Sequence, residues 1–230
     1  MDNNISEKHN IKLSKSLSWL LRHNLALIYP YLESETDIDL AKSTGFVECQ
    51  AILKHPRFQS YTIDQVKKVC ELNDKQRFSL RQHPSDPDKL QIRANQGHTI
   101  NTINVDLKKI DNCDEINHDV IHGTYRKSWP DIVSSGGLNR MKRNHIHFAK
   151  GLPGDSGVIS GMRQNSEVRI YIDVAKAMKD GFEFFESTNG VILCPGDEKG
   201  TLPIKYFKKV TPPKLMEKSG SVLLNCLNCI

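Results

Sequence analysis

Leu13, Leu17, Leu20 and Leu21 recur at i, i+4, i+7 and i+8, which predicts an amphipathic helix beginning near Ile11. That helix carries Arg22 and His23 into its last turn, where cations are stabilised by the helix dipole whether or not a ligand is present. After Tyr29-Pro30 the chain reads as an acidic connection through Asp39. Gly45-Phe46-Val47 then leads, as a brief strand or turn, into a short helix that His55-Pro56 stops. Thr62 suits an N-cap, and Ile63, Val66, Val69, Cys70 and Leu72 form one apolar face, so a second clear helix runs to near Asn73. Arg77 to Arg81 and Leu90 to Arg93 alternate on either side of Pro84-Ser85-Asp86-Pro87-Asp88, the pattern of a hairpin. Lys75 and Arg77 sit where helix gives way to hairpin. They share a face if the strand has already begun, and solvated surface charge is the other account of them.

Three helices followed by a hairpin is the order of a winged-helix module. Thr99 to His118 is rich in Asn and Asp and reads as a connector with one short strand. Beyond it, Val120 to Thr124 opens a strand-rich region in which Ser128 caps a helix through Val133, ended by Gly136-Gly137. His145 to Ala149 is a second strand. Gly151 to Gly157 is a glycine-rich turn that fits no phosphate-binding fingerprint. Val168 to Asp173 alternates as a strand, and Asp173 then caps a helix through Lys179 with Gly181 beyond it. Phe182 to Glu186 and Val191 to Cys194 flank Asn189-Gly190, the preferred type I′ pair. A last strand spans Ile204 to Phe207, and a loose tail follows Val210. The pattern predicts an α+β protein with a helical, hairpin-bearing lobe at 1–98, a linker at 99–118, a strand-rich lobe at 119–210 and a tail at 211–230.

Composition narrows the classes. The chain is 38% hydrophobic and 26% charged, and no apolar run approaches the roughly 20 residues of a membrane span, so no membrane partner is expected. The polar N-terminus lacks a signal-peptide core, so the expectation is a protein inside the cell, in cytoplasm or nucleus, with its six cysteines as thiols. Cys226 and Cys229 form a lone Cys-x-x-Cys without a second pair, and no metal site is expected there. Net charge is +5, and residues 120–149 carry five cations (Arg126, Lys127, Arg140, Lys142, Arg143) against Asp131 alone. That stretch is either the seat of an anionic ligand or a solvated basic surface.

Leu20-Leu21-Arg22-His23, Asn73-Asp74-Lys75-Gln76-Arg77-Phe78, Ala94-Asn95-Gln96-Gly97-His98, His122-Gly123-Thr124, Arg143-Asn144-His145-Ile146-His147, Ser160-Gly161-Met162-Arg163 and Ser187-Thr188-Asn189-Gly190-Val191 occur in this order. Together they resemble the NAD-dependent RNA 2′-phosphotransferases over about residues 11 to 207. The resemblance implies an N-terminal winged-helix RNA lobe and a C-terminal ADP-ribosyltransferase-like NAD lobe, with the active site in the groove between them. It implies a catalytic tetrad of Arg22, His23, Arg77 and Arg143, with Arg143 supplied by the NAD lobe and Lys75 adding charge at the substrate phosphate. It implies cofactor contacts at His122, Gly123, Thr124, His147, Arg163 and Val191, with NAD consumed as co-substrate. The implied partner is 2′-phosphorylated RNA, such as spliced tRNA, bound by a monomer. In the implied reaction the RNA 2′-phosphate attacks the ribose carbon bearing nicotinamide, giving an RNA phospho-ADP-ribose intermediate. The ribose 2″-hydroxyl then attacks the phosphate, releasing RNA 2′-OH and ADP-ribose 1″,2″-cyclic phosphate.

The residue types suit that chemistry, because arginine forks match a phosphate dianion and fixed cations stabilise phosphoryl transfer. His23 fits a proton carrier or a phosphate-binding imidazole equally well. Ala149 stands where the family commonly has serine, which removes a hydroxyl from the cofactor cleft. Two rival readings are an ADP-ribosyltransferase that modifies nucleic-acid phosphates and stops after the first step, and a non-catalytic winged-helix RNA binder.

Overall fold

The computed structural model describes residues 2–103 and 105–211, with side chains from residue 7 onward. The 211–230 tail, apart from Thr211, lies outside the described residues, as do Cys226 and Cys229. Two compact units divide the chain. The first comprises residues up to Asp106 together with Lys142–Asn144, and the second Leu107–Met141 and the residues from His145.

The first unit opens with α1 (Asp2–His23), which starts earlier than the leucine spacing alone indicates. Leu13, Leu17, Leu20 and Leu21 are all fully buried, each burial stabilising by about 1.5–3 kcal/mol. The stretch read as an acidic connection is instead a 3-10 turn (Leu25–Tyr31) and a helix, α2 (Glu35–Thr44). Ser34 Oγ accepts from the Asp37 amide at 3.1 Å, and Gly45 ends the helix at φ 74°. The acidic residues that looked like a linker thus occupy a first helical turn, where the dipole favours them.

Next come β1 (Val47–Glu48), α3 (Cys49–Lys54) and α4 (Ile63–Glu71). Thr62 and Gln65 form a reciprocal capping box at the start of α4. The hairpin is β2 (Phe78–His83) and β3 (Asp86–Ala94), with β1 added on the far side of β3 in the order β1-β3-β2. Phe58, Val66, Ile92 and Ile103 join the α1 leucines in one core. Residues 99–118 are shared between the units: Ile103 belongs to this core, while β4 (Lys108–Ile110) pairs within the second unit.

The second unit continues with β5 (Ile121–Thr124), α5 (Trp129–Ser134), β6 (Gly137–Asn139), β7 (Ile146–Phe148), β8 (Val168–Ile172), α6 (Val174–Lys179), β9 (Phe184–Glu186), β10 (Ile192–Cys194), β11 (Thr201–Pro203) and β12 (Phe207–Thr211). Its strands form a β4-β9-β10-β7 sheet, a β12-β8-β5 sheet and a β11-β6 ribbon. All strand pairs among the described residues are antiparallel, in keeping with the α+β expectation. The two larger sheets are stitched by reciprocal backbone bonds between Ile121 and Ala149, at 2.9 and 2.8 Å.

Several local expectations change. Ser128 makes no side-chain cap bond, and α5 starts instead with Pro130 in its first turn. Ile204–Tyr206 is a 3-10 turn, so the last strand begins only at Phe207. The β9–β10 connection is not a two-residue type I′ turn. Asn189 is absent from the positive-φ residues, Gly190 has φ 72°, and Ser187 N bonds Val191 O at 3.0 Å, which defines a three-residue loop closed by a glycine bulge. No helix among the described residues is long and apolar enough to cross a membrane.

Candidate anion site and a histidine-bearing sheet

In the first unit, Arg22 is held at the end of α1 by Thr99, whose amide bonds the Arg22 carbonyl at 3.0 Å and whose hydroxyl reaches the same oxygen at 3.4 Å. Two of its guanidinium nitrogens, Nε and Nη2, are buried with no hydrogen-bond partner. Burial, with added repulsion from Arg143 and Arg77, brings the Arg22 pKa down to about 10. It stays charged at neutral pH, in a place where its charge is not compensated. An arrangement that costs stability in this way is a mark of a ligand site.

The rest of the cluster is built around it. Gly97 at φ 87° lies under the Arg22 side chain, and a Cβ there would sit 3.4–3.5 Å from Nε, Cδ and Cζ. Arg77 donates from Nη1 to Asn73 Oδ1 at 3.3 Å, and its own amide bonds the same oxygen at 3.2 Å. Burial lowers its pKa, opposed by Asp74. Asn95 fixes the turn before it, donating from Nδ2 to Gln76 O at 2.7 Å and accepting from Ser79 Oγ at 2.5 Å. Lys75 lies in that turn, ahead of the first strand residue Phe78, so strand alternation does not relate it to Arg77. Arg143 is exposed and groups with the first unit, not with the strand-rich half in which its sequence position had placed it. Its neighbour Asn144 anchors it, bonding His98 O through the amide at 3.1 Å and Ile100 O through Nδ2 at 3.2 Å.

His23 Nδ1 lies 3.2 Å from Thr99 Oγ1. With the Thr99 proton directed to the Arg22 carbonyl, Nδ1 donates and Nε2 is left as the acceptor. Burial, then Arg22 and Arg143, lower the His23 pKa below 6.5, so the ring is neutral at pH 7. Among the described residues the non-glycine positions with positive φ are Gln76 (42°) and Met141 (56°), one and two residues ahead of Arg77 and Arg143. Asn73, Asn95, Gly97, Thr99 and Asn144, to which sequence reasoning gave no role, are what positions the four residues singled out. All of them but Thr99 stood in the quoted motifs.

In the second unit, His122 projects from β5 and its Nδ1 donates to the His147 carbonyl on β7 at 2.9 Å, across the Ile121–Ala149 stitch. A carbonyl only accepts, so the neutral ring has Nε2 as an acceptor. Thr124 and His147 are buried, and Arg163 stacks over Tyr125 with Nη1 3.1 Å from its hydroxyl. Gly123 has a packing reason: a Cβ would come within 2.1 Å of Met162 Cγ. Val191 is fully buried inside the Ser187–Val191 loop, so its side chain shapes that loop. Ser166 Oγ, also unremarked in the sequence, is buried without a hydrogen-bond partner and would lie 2.6 Å from a Gly123 Cβ.

His145 packs edge-on to Phe185 at 5.9 Å, and burial, with Arg140 adding to it, holds its pKa below the ordinary 6.5. Between that lowered value and 6.5 the unfolded chain binds more protons, so stability rises with pH through the window and is lost as pH falls. His145→Gln should therefore narrow the gap between urea midpoints measured at about pH 7.5 and about pH 5. An unchanged gap would assign the pH dependence to other groups.

Residues 8–196 match the family described as RNA 2′-phosphotransferase, Tpt1 / KptA family. A tRNA 2′-phosphotransferase 1 of Danio rerio is 46% identical over 208 residues, covering 90% of this chain and 88% of that protein. The Mus musculus protein of the same name is 44% identical, covering 88% of this chain and 77% of its own length. The Bos taurus one is 43% identical, with 88% and 76% covered. The chain belongs to the RNA 2′-phosphotransferase family.

Proposed function

We propose that the protein removes an internal RNA 2′-phosphate, as left at a tRNA splice junction, by transferring it to NAD. The products are RNA 2′-OH, ADP-ribose 1″,2″-cyclic phosphate and nicotinamide. One observation carries this reading: Arg22 is a buried, charged guanidinium with two unpartnered nitrogens, pressed by Arg77 and Arg143. A phosphate dianion supplies acceptor oxygens and opposite charge together, and its arrival would restore His23 toward its protonated form. Family membership and the relatives' names support a tRNA substrate. In this reading the first unit is the winged-helix RNA lobe and the second an ADP-ribosyltransferase-like NAD lobe.

NAD supplies an electrophilic ribose carbon and a neighbouring 2″-hydroxyl when bound. In this reading the second unit's residues suit a ribose and an amide: His122 is oriented by the bond from Nδ1 to the His147 carbonyl, Ser166 Oγ is buried without a hydrogen-bond partner, and Arg163 is held over Tyr125 as a cation for the phosphates. Thr124 and His147 line the same strands, while Gly123 and Val191 act through packing. Arg22 and Arg77 clamp the RNA 2′-phosphate, with Lys75 as a point charge. Arg143 stabilises the charge that develops as phosphate passes to the 2″-hydroxyl, and His23 holds or moves a proton at Nε2.

Incubating the protein with a 2′-phosphorylated oligonucleotide and NAD tests the proposal. ADP-ribose cyclic phosphate and dephosphorylated RNA are expected. A stable ADP-ribosylated RNA as sole product would replace the proposal with a transferase that stops at the first step.

A further inference from the structure

On the solvent side of α1, Lys8, Lys12 and Lys15 are exposed at i, i+4 and i+7, and Trp19 and Arg22 continue the series at i+11 and i+14. At 100° and 1.5 Å per residue these five lie within a stripe about 80° wide and about 21 Å long. Arg57, from the loop after α3, joins the stripe: its guanidinium stacks over Trp19 at 4.3 Å and Nε donates to Ser16 Oγ at 3.3 Å. Lys8, Lys12, Lys15 and Arg57 line a groove of about 500 Å³ that contains no acidic residue.

Lys42, Lys89 and Lys108 each have a carboxylate within 4.0 Å, whereas among the described residues none of the four groove cations forms an ion pair. One exposed apolar side chain stands among the charges, and the aromatic ring beside it is buried. Ile11 is 48% exposed on the groove wall, and Tyr61 stacks with His9 at 4.6 Å. Cations spaced along one face, with no carboxylate among them, suit the sequence-independent electrostatic binding of a nucleic-acid backbone.

We infer that this face of α1 is a track for the phosphodiester backbone of the RNA substrate, running from Lys8 to the cation cluster at Arg22. The inference rests on the proposed RNA substrate and adds a second, non-reacting contact surface to it. A track about 21 Å long extends past the reach of a dinucleotide held at its Arg22 end, so a long RNA engages it and a dinucleotide does not.

The test compares wild type with Lys8→Gln/Lys12→Gln/Lys15→Gln, three exposed positions whose change leaves the core intact, and separately with Arg57→Gln. Binding of an unphosphorylated tRNA across a salt series should lose about 2–3 units of slope in log K against log salt for the triple variant. Turnover of a 2′-phosphorylated anticodon stem-loop should show KM raised about tenfold or more with kcat kept, while a 2′-phosphorylated dinucleotide is turned over as by wild type. Equal losses on long and short substrates, or an unchanged salt slope, would overturn the track. So would intact RNA binding with lost binding to phosphatidylserine vesicles, which would assign the face to a lipid surface. Absence of turnover on the dinucleotide by wild type would instead count against the proposed reaction, with the salt slope still deciding the track.

Discussion

Replacing Arg22 with methionine is expected to push activity and stability in opposite directions. Turnover of a 2′-phosphorylated oligonucleotide should fall about 10²–10³-fold, the loss typical of removing one fixed donor from a charged transition state. Thermal stability should rise by about 1 kcal/mol, or about 2–4 °C for a chain of this size, because an uncompensated buried charge is exchanged for an apolar stem of similar length. The expectation follows from the two partnerless nitrogens and from the repulsion by Arg77 and Arg143. Inorganic phosphate should raise the Tm of the wild type more than that of Arg22→Met, since the variant lacks the uncompensated buried charge. A variant that loses stability along with activity would show Arg22 to be a structural cation.

Arg143→Ala should separate the two chemical steps. Arg143 is exposed, unlike Arg22, so its removal leaves the Asn144 anchor and the rest of the cluster in place. RNA affinity should change less than threefold or so, the range for losing one exposed charge contact. Phosphoryl transfer to the 2″-hydroxyl should slow by about 10²-fold or more, so that ADP-ribosylated RNA accumulates in single-turnover reactions sampled by gel. Equal loss of binding and of both steps would remove Arg143 from the role assigned to it.

The two units were not equally legible. The α1 leucines, the Thr62 cap and the β2–β3 hairpin are local signals, and each sets its own element with little help from the rest of the chain. α2 escaped because its evidence is a single serine cap and a few half-buried residues amid acids that read as linker. The β11–β6 ribbon escaped because strands of three residues carry no usable alternation.

For the site, the residue names came from the motif resemblance, while their support could not be read at all. Nothing local says that Gly97 must be bare for Arg22 to lie over it, or that Thr99 holds the end of a helix 76 residues earlier. The placement of Arg143 is the sharpest case. The position of a side chain between two strands of one unit says nothing about which unit its backbone joins, because that is decided by the bonds of Asn144 to His98 and Ile100.

That excursion of three residues has a consequence for dissecting the protein. A fragment ending at Asp106 would lack Lys142, Arg143 and Asn144, and would leave the His98 and Ile100 carbonyls without the partners they have in the intact chain. The first unit is therefore not a separable piece of sequence. Its cluster of cations is completed only after synthesis has passed residue 144, so a growing chain carries Arg22, His23 and Arg77 for some time before Arg143 joins them.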